Sequence, residues 1–381
     1  MKEGWTYKKL GEICRVINGR AYSKDEMLSQ GKYRLLRVGN FFTNDSWYYS
    51  DLELEEDKYC DNGDLLYAWS ASFGPRIWDG EKVIYHYHIW KMVCSAEIDK
   101  YFLCYWLDSD ELKKQTMTNL HGATMAHITK RIIENAIVSY PSLSEQQSIV
   151  DYLDSAFAKI DAMKVHAEKA LNEAKALFQA SLKEMLEPKE EVKWSTIGDL
   201  FETYSGGTPT KSNKEYYEGG LIPWLRSGEV CQKEITRTEM FITEKGLKES
   251  SAKYYPENTV VVAMYGATAA QVGILRIKST SNQAVCGILP HKDFLPDFVY
   301  YWFSSIEDKL AAQAQGGAQP NISQQKIKKV EIPIYSITEQ QSIVATLDSL
   351  KSKVDRLKAN YAKISQECAA LKQAILRQVF E

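Results

Sequence analysis

The sequence predicts an α+β protein in which two similar mixed α/β domains are separated by two long helices that form an antiparallel coiled coil. Three observations support this fold class. The segment Glu145–Val150 recurs letter for letter as Glu339–Val344, a strand-rich texture occurs twice, and a helix-like stretch rich in Ala, Lys, Glu and Leu follows each copy. Because a solenoid repeat has only about 20–50 residues, this longer period predicts a pseudo-two-fold dumbbell with two heads.

Composition divides the chain into four blocks. We expect a first domain over residues 1–142, a first spacer helix over 143–187, a second domain over 188–337 and a second spacer helix over 338–381. The domains are rich in Tyr, Trp, Val and Ile and are interrupted by Asn-Gly and Gly-Pro pairs, which predicts strands and turns. Within the first domain, helices are expected around 101–115 and 129–134. The spacing of Ser144 and Gln147, repeated by Thr338 and Gln341, predicts the capping box that begins each long helix.

A heptad stripe runs along each long helix. In the second helix, apolar residues recur every seven positions in two series offset by four, which is the a/d pattern of a coiled coil over about five heptads. At ~1.5 Å per residue, about 40 residues form a rod of roughly 60 Å, and only an antiparallel return lets the two seams meet. The expected seam and partner-contact residues are Leu153, Ile160, Leu177, Leu347, Val354, Leu357 and Leu371.

The two heads also match each other outside the long helices. The matched segments are Asn18-Gly19 with Ser205-Gly206, Leu35–Asn40 with Trp224–Glu229, Asp64–Trp69 with Thr259–Met264, and Gly122–Thr129 with Gly316–Ser323. These matched segments form a frame that the two heads share, whereas the residues between the segments differ freely. Two copies of one frame with different loops indicate two similar binding domains with different targets.

Length and composition narrow the class of protein. With 381 residues, 44% apolar and 25% charged residues, two to three ordinary globular domains are expected. The apolar runs are too short for a membrane span, the start lacks the apolar stretch of a signal peptide, and seven scattered cysteines indicate reduced thiols. We therefore expect a cytoplasmic protein. The net charge of −3 argues against a bulk nucleic-acid coat, although residues 1–37 hold nine Lys and Arg against four acids.

We identify no catalytic constellation in the sequence. The P-loop, the Asn/Asp-Pro-Pro-aromatic tetrad of an adenine methyltransferase, GxGxxG after a strand, GxSxG and HExxH are all missing. His86 and His88 would share one face of a strand, which is the arrangement that a pair of metal ligands needs. Since no third ligand is evident, we favour a strand-surface or core role for both and predict neither a catalytic residue nor a metal site.

A glycine-containing turn near the start of each head allows two interpretations. Ser205–Lys211 and Asn18–Lys24 each combine glycine with hydroxyl groups and a cation. Backbone amides of such turns can cradle a phosphate, but a plain turn explains the same residues. Both interpretations remain open from the sequence.

These features together resemble one family. The twice-occurring Glu-Gln-Gln-Ser-Ile-Val segment, the Gly206–Pro209 turn, the Gly122–Thr124 segment and the tandem layout are similar to those of the specificity (S) subunit of type I restriction–modification systems. The resemblance covers the whole chain. It implies a non-catalytic subunit with two target recognition domains, each reading one half of an asymmetric split site in double-stranded DNA.

The same resemblance implies the partners. The spacer helices would set the gap between half-sites and dock two modification (methyltransferase) subunits, and restriction/translocase subunits would join for cleavage. S-adenosylmethionine, ATP and Mg²⁺ are expected in those partner subunits and no cofactor in this chain. A two-headed coiled-coil scaffold and a standalone DNA-binding protein are the alternatives, and a fused enzyme is disfavoured by the missing motifs.

Residue chemistry suggests which side chains contact DNA. Cations near the glycine turns would hold phosphates, while Arg, Asn, Gln and aromatic tips would read base edges. The candidates in the first head are Arg20, Tyr22, Lys24, Arg37, Asn40, Ser70, Ser72 and Arg76, and those in the second are Thr208, Thr210, Lys211, Arg226, Thr268, Gln271, Gln319 and Asn321. Because Arg37 and Arg226 occupy matched positions, a shared role in the fold is the rival explanation for them.

Overall fold

The computed structural model describes residues 2–70, 72–117, 128–187, 192–312 and 321–381. Its contacts divide the chain into two compact units, Met1–Glu168 with Tyr361–Glu381, and Lys169–Asn360. Each unit therefore combines one strand-rich domain with segments of two long helices. No helix among the described residues is long and apolar enough to cross a membrane.

The described residues of the first domain form three sheets. One has the strand order β2-β9-β6-β7, the second has the order β4-β3-β8-β5, and β1 pairs with β10. The strands are β1 (Thr6–Lys9), β2 (Cys14–Asn18), β3 (Tyr33–Leu36), β4 (Tyr48–Ser50), β5 (Tyr59–Cys60), β6 (Leu65–Ser70), β7 (Ser72–Ile77), β8 (Val83–Tyr85), β9 (Ile89–Cys94) and β10 (Ile137–Tyr140). The helices are α1 (Leu10–Ile13), α2 (Val38–Phe42), α3 (Lys100–Asp108), α4 (Asp110–Met117) and α5 (Lys130–Glu134), followed by the long helix α6 (Leu143–Leu186).

The second domain repeats this plan. Its sheets have the orders β12-β19-β16-β17-β14, β15-β13-β18 and β11-β20. The strands are β11 (Trp194–Thr196), β12 (Thr203–Ser205), β13 (Ile222–Leu225), β14 (Glu234–Ile235), β15 (Met240–Ile242), β16 (Val260–Ala263), β17 (Val272–Leu275), β18 (Thr280–Ser281), β19 (Val285–Ile288) and β20 (Glu331–Pro333). The helices are α7 (Ile197–Leu200), α8 (Glu244–Lys248), α9 (Pro296–Ser305), α10 (Glu307–Ala312) and α11 (Gln324–Lys328), followed by the long helix α12 (Ile337–Phe380).

Equivalent strands pair in the same way in the two domains. The order β2-β9-β6-β7 corresponds to β12-β19-β16-β17, and the parallel pair β3·β8 corresponds to β13·β18. The predicted fold class, two similar α/β domains with two long helices, is therefore confirmed. The dumbbell shape and the two-fold axis stay predictions.

Each long helix contributes to both hydrophobic cores. The first core contains Leu153 near the start of α6 and Phe380 at the end of α12. The second core contains Leu186 at the end of α6 and Leu347 near the start of α12. Because the start of one helix meets the end of the other within each unit, the helices run antiparallel, as the sequence predicts.

The buried stripe of the long helices departs from the predicted heptads. Leu153, Ile160, Leu347 and Val354 are buried and Leu357 is partly buried, whereas Leu177 and Leu371 are 59% and 47% exposed. Leu171, Leu182 and Leu376 are buried instead. A straight helix has 3.6 residues per turn and drifts by about 20° per heptad from a 3.5-residue repeat. The seam placement of Leu177 and Leu371 was therefore wrong.

The long helices also begin two residues earlier than the predicted capping boxes. The Ser142 hydroxyl accepts a hydrogen bond from Glu145 N at 3.4 Å. Ser336 and Glu339 form a reciprocal box, with Glu339 N donating to the Ser336 hydroxyl at 3.3 Å and Ser336 N donating to the Glu339 carboxylate at 2.9 Å. Capping by Ser144 and Thr338 was therefore wrong, because those residues already lie inside the helices.

The repeated motif contains a buried glutamine in each copy. Gln146 is 0% exposed. Its side-chain oxygen accepts from Asp99 N at 2.8 Å, and its amide nitrogen donates to the carbonyls of Glu97 at 3.1 Å and Pro141 at 2.9 Å. Asp99 caps helix α3, so this one side chain ties the start of α6 to the start of α3.

Gln340 makes the equivalent set in the second unit. It is 0% exposed, its oxygen accepts from Leu295 N at 2.8 Å, and its nitrogen donates to the carbonyls of Asp293 at 2.8 Å and Tyr335 at 2.9 Å. Leu295 is the residue before α9. Both long helices are thus joined to the equivalent helix of the adjoining domain.

A second contact fastens each pair of helices. The Tyr105 hydroxyl of α3 donates to Asp154 of α6, and the Tyr301 hydroxyl of α9 donates to Asp348 of α12. In the second unit, Lys233 also pairs with Asp348 and with Asp297, the latter at 2.7 Å. Two contacts therefore hold each domain on a long helix. One is the buried glutamine of the long helix, and the other is the tyrosine of the domain helix that donates to an aspartate of the long helix.

The helix expected around 101–115 is two helices. α3 ends before Ser109, whose hydroxyl donates to the Trp106 carbonyl at 2.6 Å and whose backbone is extended. α4 then begins at Asp110. The local hydrogen bond of Ser109 competes with helix continuation, which explains the break.

Candidate nucleic-acid interface

A parallel strand pair brings two loops together in the first domain. β3 and β8 pair with Leu36 opposite Tyr85, so both strands end at the same edge of their sheet. The residues that follow are Arg37 and His86, and His86 N donates to the Leu36 carbonyl at 2.9 Å. Two segments distant in sequence are therefore adjacent at this edge.

The second domain has the same arrangement. β13 and β18 pair in parallel with Leu225 opposite Ser281. They are followed by Arg226 and Asn282, and Asn282 N donates to the Leu225 carbonyl at 2.9 Å. Arg37 and Arg226 thus have equivalent backbone positions, as the aligned sequences suggest.

The glycine turn of each domain packs against this edge. A Cβ on Gly19 would lie 2.3 Å from the His86 carbonyl oxygen, and a Cβ on Gly206 would lie 2.2 Å from the Ser281 carbonyl oxygen. Only glycine allows so close an approach to backbone. We call the assembled surface the glycine-loop edge, formed by residues 18–24, 37 and 86–88 in the first domain and by 205–211, 226 and 282–284 in the second.

Arg20 is engaged in an internal ion pair on the first glycine-loop edge. Its guanidinium donates to both carboxylate oxygens of Glu26, at 3.0 and 2.6 Å, and lies 5.0 Å from the ring centre of Tyr22. The hydrogen bond from Arg20 lowers the pKa of Glu26 to about 2. A phosphate would therefore have to share Arg20 with a carboxylate.

Lys24 and Arg37 are the more available cations of this edge. Both are exposed, and neither forms a salt bridge within the described part of the chain. The Arg37 guanidinium lies 5.2 Å from the Tyr48 ring centre. Burial, followed by the charges of His88 and Arg37, lowers the pKa of His86 to about 4. The positive potential here therefore comes from Lys24 and Arg37, with His86 neutral near pH 7.

Asn40 and Arg76 shape the loops beside this edge. The Asn40 amide donates to the carbonyls of residues 44 and 46 at 2.9 and 2.8 Å. Arg76 donates to the Phe41 carbonyl at 2.8 Å and to Asp79 at 3.1 Å. Both side chains use their donors within the domain, so a structural role accounts for their present contacts.

The other three candidates of the first domain differ in exposure. Tyr22 is buried, and its hydroxyl oxygen has no hydrogen-bond partner among the residues that the structure describes. Ser70 is buried at the end of β6, whereas Ser72 is exposed at the start of β7 and pairs with it. Ser72 is therefore the accessible one of the two serines.

His86 and His88 lie in the turn between β8 and β9, so their placement on a strand was wrong. Their ring centres are 4.8 Å apart, and Tyr87 lies between them with 38% of its surface exposed. Among the described residues, no group of three His, Cys, Asp or Glu side chains could hold a metal ion. This turn is an aromatic part of the edge that the sequence interpretation missed.

A cavity of about 510 Å³ opens beside the second glycine-loop edge. It brings together three predicted residues, Thr208, Lys211 and Arg226. The Thr208 hydroxyl donates to the Gln283 side-chain oxygen, and Arg226 pairs with Glu239. Three of the second domain's candidates therefore share one concave surface.

The remaining candidates of the second domain are dispersed. Thr210 is exposed on the glycine turn, and the Thr268 hydroxyl donates to the carbonyl of Ser227 at 3.2 Å. Gln271 lies in a separate hollow with Gln232 and Tyr300. Asn321 is exposed and bridges to Tyr265. Gln319 and the segments 122–124 and 316–318 lie outside the described residues.

Seven further residues line the cavity and were not among the candidates predicted from the sequence, namely Lys214, Tyr217, Glu218, Trp224, Met240, Asn282 and Gln283. Trp224 was noticed only as part of the matched frame. The parallel pairing of β13 with β18 places Asn282 beside Arg226, and a period-two pattern does not show which strands pair.

The duplicated architecture of this chain corresponds to a known protein family. The family model for the type I restriction modification DNA specificity domain matches the chain twice, over residues 2–173 and 189–366. The chain belongs to the type I restriction modification DNA specificity family. Each match covers one domain and part of the long helix after it.

Individual relatives agree with this family. The specificity subunit of the type I restriction enzyme EcoR124I/EcoR124II from Escherichia coli is 31% identical over 213 residues, 54% of this chain and 52% of the relative. The EcoBI specificity subunit, also from Escherichia coli, is 23% identical over 416 residues, 99% of this chain and 86% of the relative. The first of these matches spans about half the length of the curated relative.

Two solved structures share the fold over the whole chain. A chain from a structure of complex assembly and conformational transition in the type I R-M system superposes with a TM-score of 0.77 at 19% identity, covering 100% of this chain and 98% of that one. The HsdS subunit from Thermoanaerobacter tengcongensis gives a TM-score of 0.58 at 18% identity, covering 100% and 97%. At these identities the likeness shows the fold alone.

Proposed function

We propose that this chain is the non-catalytic subunit that gives a type I restriction–modification complex its DNA sequence specificity. The observation that carries the proposal is the duplicated family match, since each match contains one glycine-loop edge. In this function the chain supplies recognition of double-stranded DNA, and its partners supply chemistry.

The two edges have one backbone frame and different side chains, which favours a split, asymmetric site. His86 and Asn282 occupy equivalent positions, as do Arg20 and Gly207, whose amides donate to equivalent carbonyls at 3.1 and 2.8 Å. Equal frames would approach DNA in the same way, while unequal side chains would read different bases. Each domain therefore reads one half-site of its own.

The long helices are proposed to set the gap between half-sites and to dock two adenine methyltransferase subunits. Exposed apolar side chains on α6 supply a surface for such partners, since Tyr152, Met163, Val165 and Leu177 are 52–61% exposed. S-adenosylmethionine would be bound by those partners, and ATP and Mg²⁺ by restriction/translocase subunits. The complex would act on DNA in the cytoplasm.

Methylome sequencing with and without the gene for this chain tests the proposal. We expect adenine methylation to disappear at one split motif, which would also reveal both half-sites. Unchanged methylation in cells that express the partner methyltransferase would reject the proposed function. A variant lacking only the segment after residue 336 is not a suitable control, because Leu376 and Phe380 belong to the first core.

A further inference from the structure

The cavity of the second domain has an aromatic interior that an edge-on contact with a base pair would not use. Trp224, Tyr217 and Met240 line it together with Lys211, Lys214 and Arg226. Aromatic side chains bind the π-face of a base, and this face becomes free only when the base leaves the stack. A volume of about 510 Å³ is within the range of about 300–1,000 Å³ typical of small-ligand sites.

The aromatic surface is held in place by the domain itself. The Trp224 indole donates to the Gly207 carbonyl at 3.0 Å, and the Tyr217 hydroxyl donates to the Pro209 carbonyl at 2.6 Å. The two ring centres are 6.0 Å apart with an interplanar angle of 75°. Both rings are therefore fixed by the glycine turn without a ligand, which lowers the ordering cost of binding.

Two amides supply hydrogen-bond donors at the same cavity. Asn282 accepts from Ala284 N at 3.2 Å, and the Gln283 oxygen accepts from the Thr208 hydroxyl. With their oxygens engaged, their NH₂ groups can donate to acceptor atoms on a base edge.

The charge of the cavity favours a phosphate. Lys211 is exposed and has no ion-pair partner in the described part of the chain. Lys214 pairs with Glu218 at 3.7 Å, where both side chains are more than 70% exposed, so solvent screens that pair. Because Arg226 pairs with Glu229 and Glu239, the positive charge of the cavity comes mainly from Lys211 and Lys214.

We propose that this cavity binds one nucleotide, with its base against Tyr217 and its phosphate beside Lys211 and Lys214, while Trp224, which is 3% exposed, supports Tyr217 from behind. The nucleotide comes from the DNA half-site of the second domain and is rotated out of the duplex, a source that rests on the proposed function. A free mononucleotide has the same chemistry and is tested separately.

The DNA test uses the full chain in its methyltransferase complex. Duplexes carrying a mismatch at each successive pair of the half-site are compared, because a mismatch lowers the cost of unpairing. We expect one position at which the mismatch tightens binding about 10-fold. Met240→Trp, which fills the cavity, and Tyr217→Ala should abolish this gain. Tyr216→Ala is the matched control, since its hydroxyl contacts Glu249 at 2.7 Å and it does not line the cavity.

The second test uses equilibrium dialysis to measure the binding of deoxynucleoside monophosphates to the full chain without DNA. Saturable binding that Lys211→Ala weakens at least five-fold, and that the exposed Lys248→Ala leaves unchanged, supports the cavity as a nucleotide site. Specific DNA binding without a mismatch-enhanced position, together with no mononucleotide binding, overturns the proposal. If specific DNA binding itself is absent, the proposed function fails, and dialysis alone decides for or against the cavity.

Discussion

Gln146 and Gln340 occupy equivalent positions of the repeat and make the same three hydrogen bonds from fully buried side chains. Each accepts one backbone N–H and donates to two backbone carbonyls. A glutamine satisfies all three groups at once, whereas a glutamate of the same shape lacks the donors. In each copy of the repeat, this glutamine thus attaches a domain to a long helix.

We predict that Gln146→Ala and Gln340→Ala each lower the free energy of unfolding by roughly 2–4 kcal/mol, because buried backbone groups lose their partners. The measurement is urea unfolding followed by circular dichroism. Gln147→Ala and Gln341→Ala are matched controls, since these neighbouring glutamines are exposed. Equal effects of buried and exposed substitutions would contradict the attachment role.

The glycines of the two turns should be required for folding. Gly19→Ala and Gly206→Ala place a Cβ within 2.3 Å of a backbone carbonyl, so we expect a loss of about 1–3 kcal/mol or more in unfolding free energy. Thermal unfolding measures it, with Gly228→Ala as control because nothing lies within 4 Å of its added Cβ. Full stability with reduced DNA affinity would instead favour a phosphate cradle.

Lys24 should contact a phosphate more directly than Arg20, which is paired with Glu26. We expect Lys24→Ala to reduce the slope of log K against log salt for DNA binding by the complex by about 0.9, the contribution of one neutralised phosphate. Fluorescence anisotropy at several salt concentrations provides the slope. Lys9→Ala is the control, since Lys9 is exposed on β1, outside the glycine-loop edge. An unchanged slope would remove Lys24 from the contact surface.

His86 should make stability depend on pH. Its pKa is lowered to about 4 in the fold and is about 6.5 when unfolded. The unfolded state therefore binds the proton first, so stability falls as pH drops from about 6.5 to about 4. Between pH 7 and 4.5 we expect this group to cost about 2–3 kcal/mol.

The pH effect is measured as a difference between urea unfolding curves. His86→Asn, which introduces the residue found at the equivalent position 282, should lose less stability between pH 7 and 4.5 than the parent. His166→Asn, on the exposed surface of α6, should behave like the parent. Parallel curves for all three proteins would show that His86 titrates normally.

The long helices should act as a ruler. Adding four residues to both α6 and α12 at matched sites lengthens each by about 6 Å, close to two base-pair steps at ~3.4 Å. We expect the methylated motif to keep its half-sites and gain about two base pairs in its gap, as measured by methylome sequencing. Changed half-sites with an unchanged gap would contradict the ruler.

The long-range symmetry of the chain could be predicted because duplication leaves a direct record in sequence. The long helices begin at Leu143 and Ile337, two residues before the starts that the predicted caps at Ser144 and Thr338 imply. The exact seam between the long helices could not be predicted in this way. Drift along a straight helix moves burial from position 177 to Phe178, which packs against the second core. A fixed seven-residue count does not include that drift.

The composition of the candidate site was harder to predict than its position. Arg20 and Lys24 belong to one turn and are both cationic, yet only Arg20 forms an ion pair with Glu26. Such choices depend on side-chain geometry. Likewise, Asn282 reaches the site through parallel pairing of strands distant in sequence, and no local pattern reports that pairing.

The presence of Leu376 and Phe380 in the first core also affects folding during synthesis. Leu376 and Phe380 reach the first domain only after the ribosome has added residues 169–380. At roughly 5–20 residues per second this takes about ten to forty seconds. During that interval Phe102, which later stacks edge-on against Phe380 at 5.4 Å, lacks its partner. The nascent chain thus exposes the apolar surface around Phe102 that Phe380 later covers, and a chaperone could bind there.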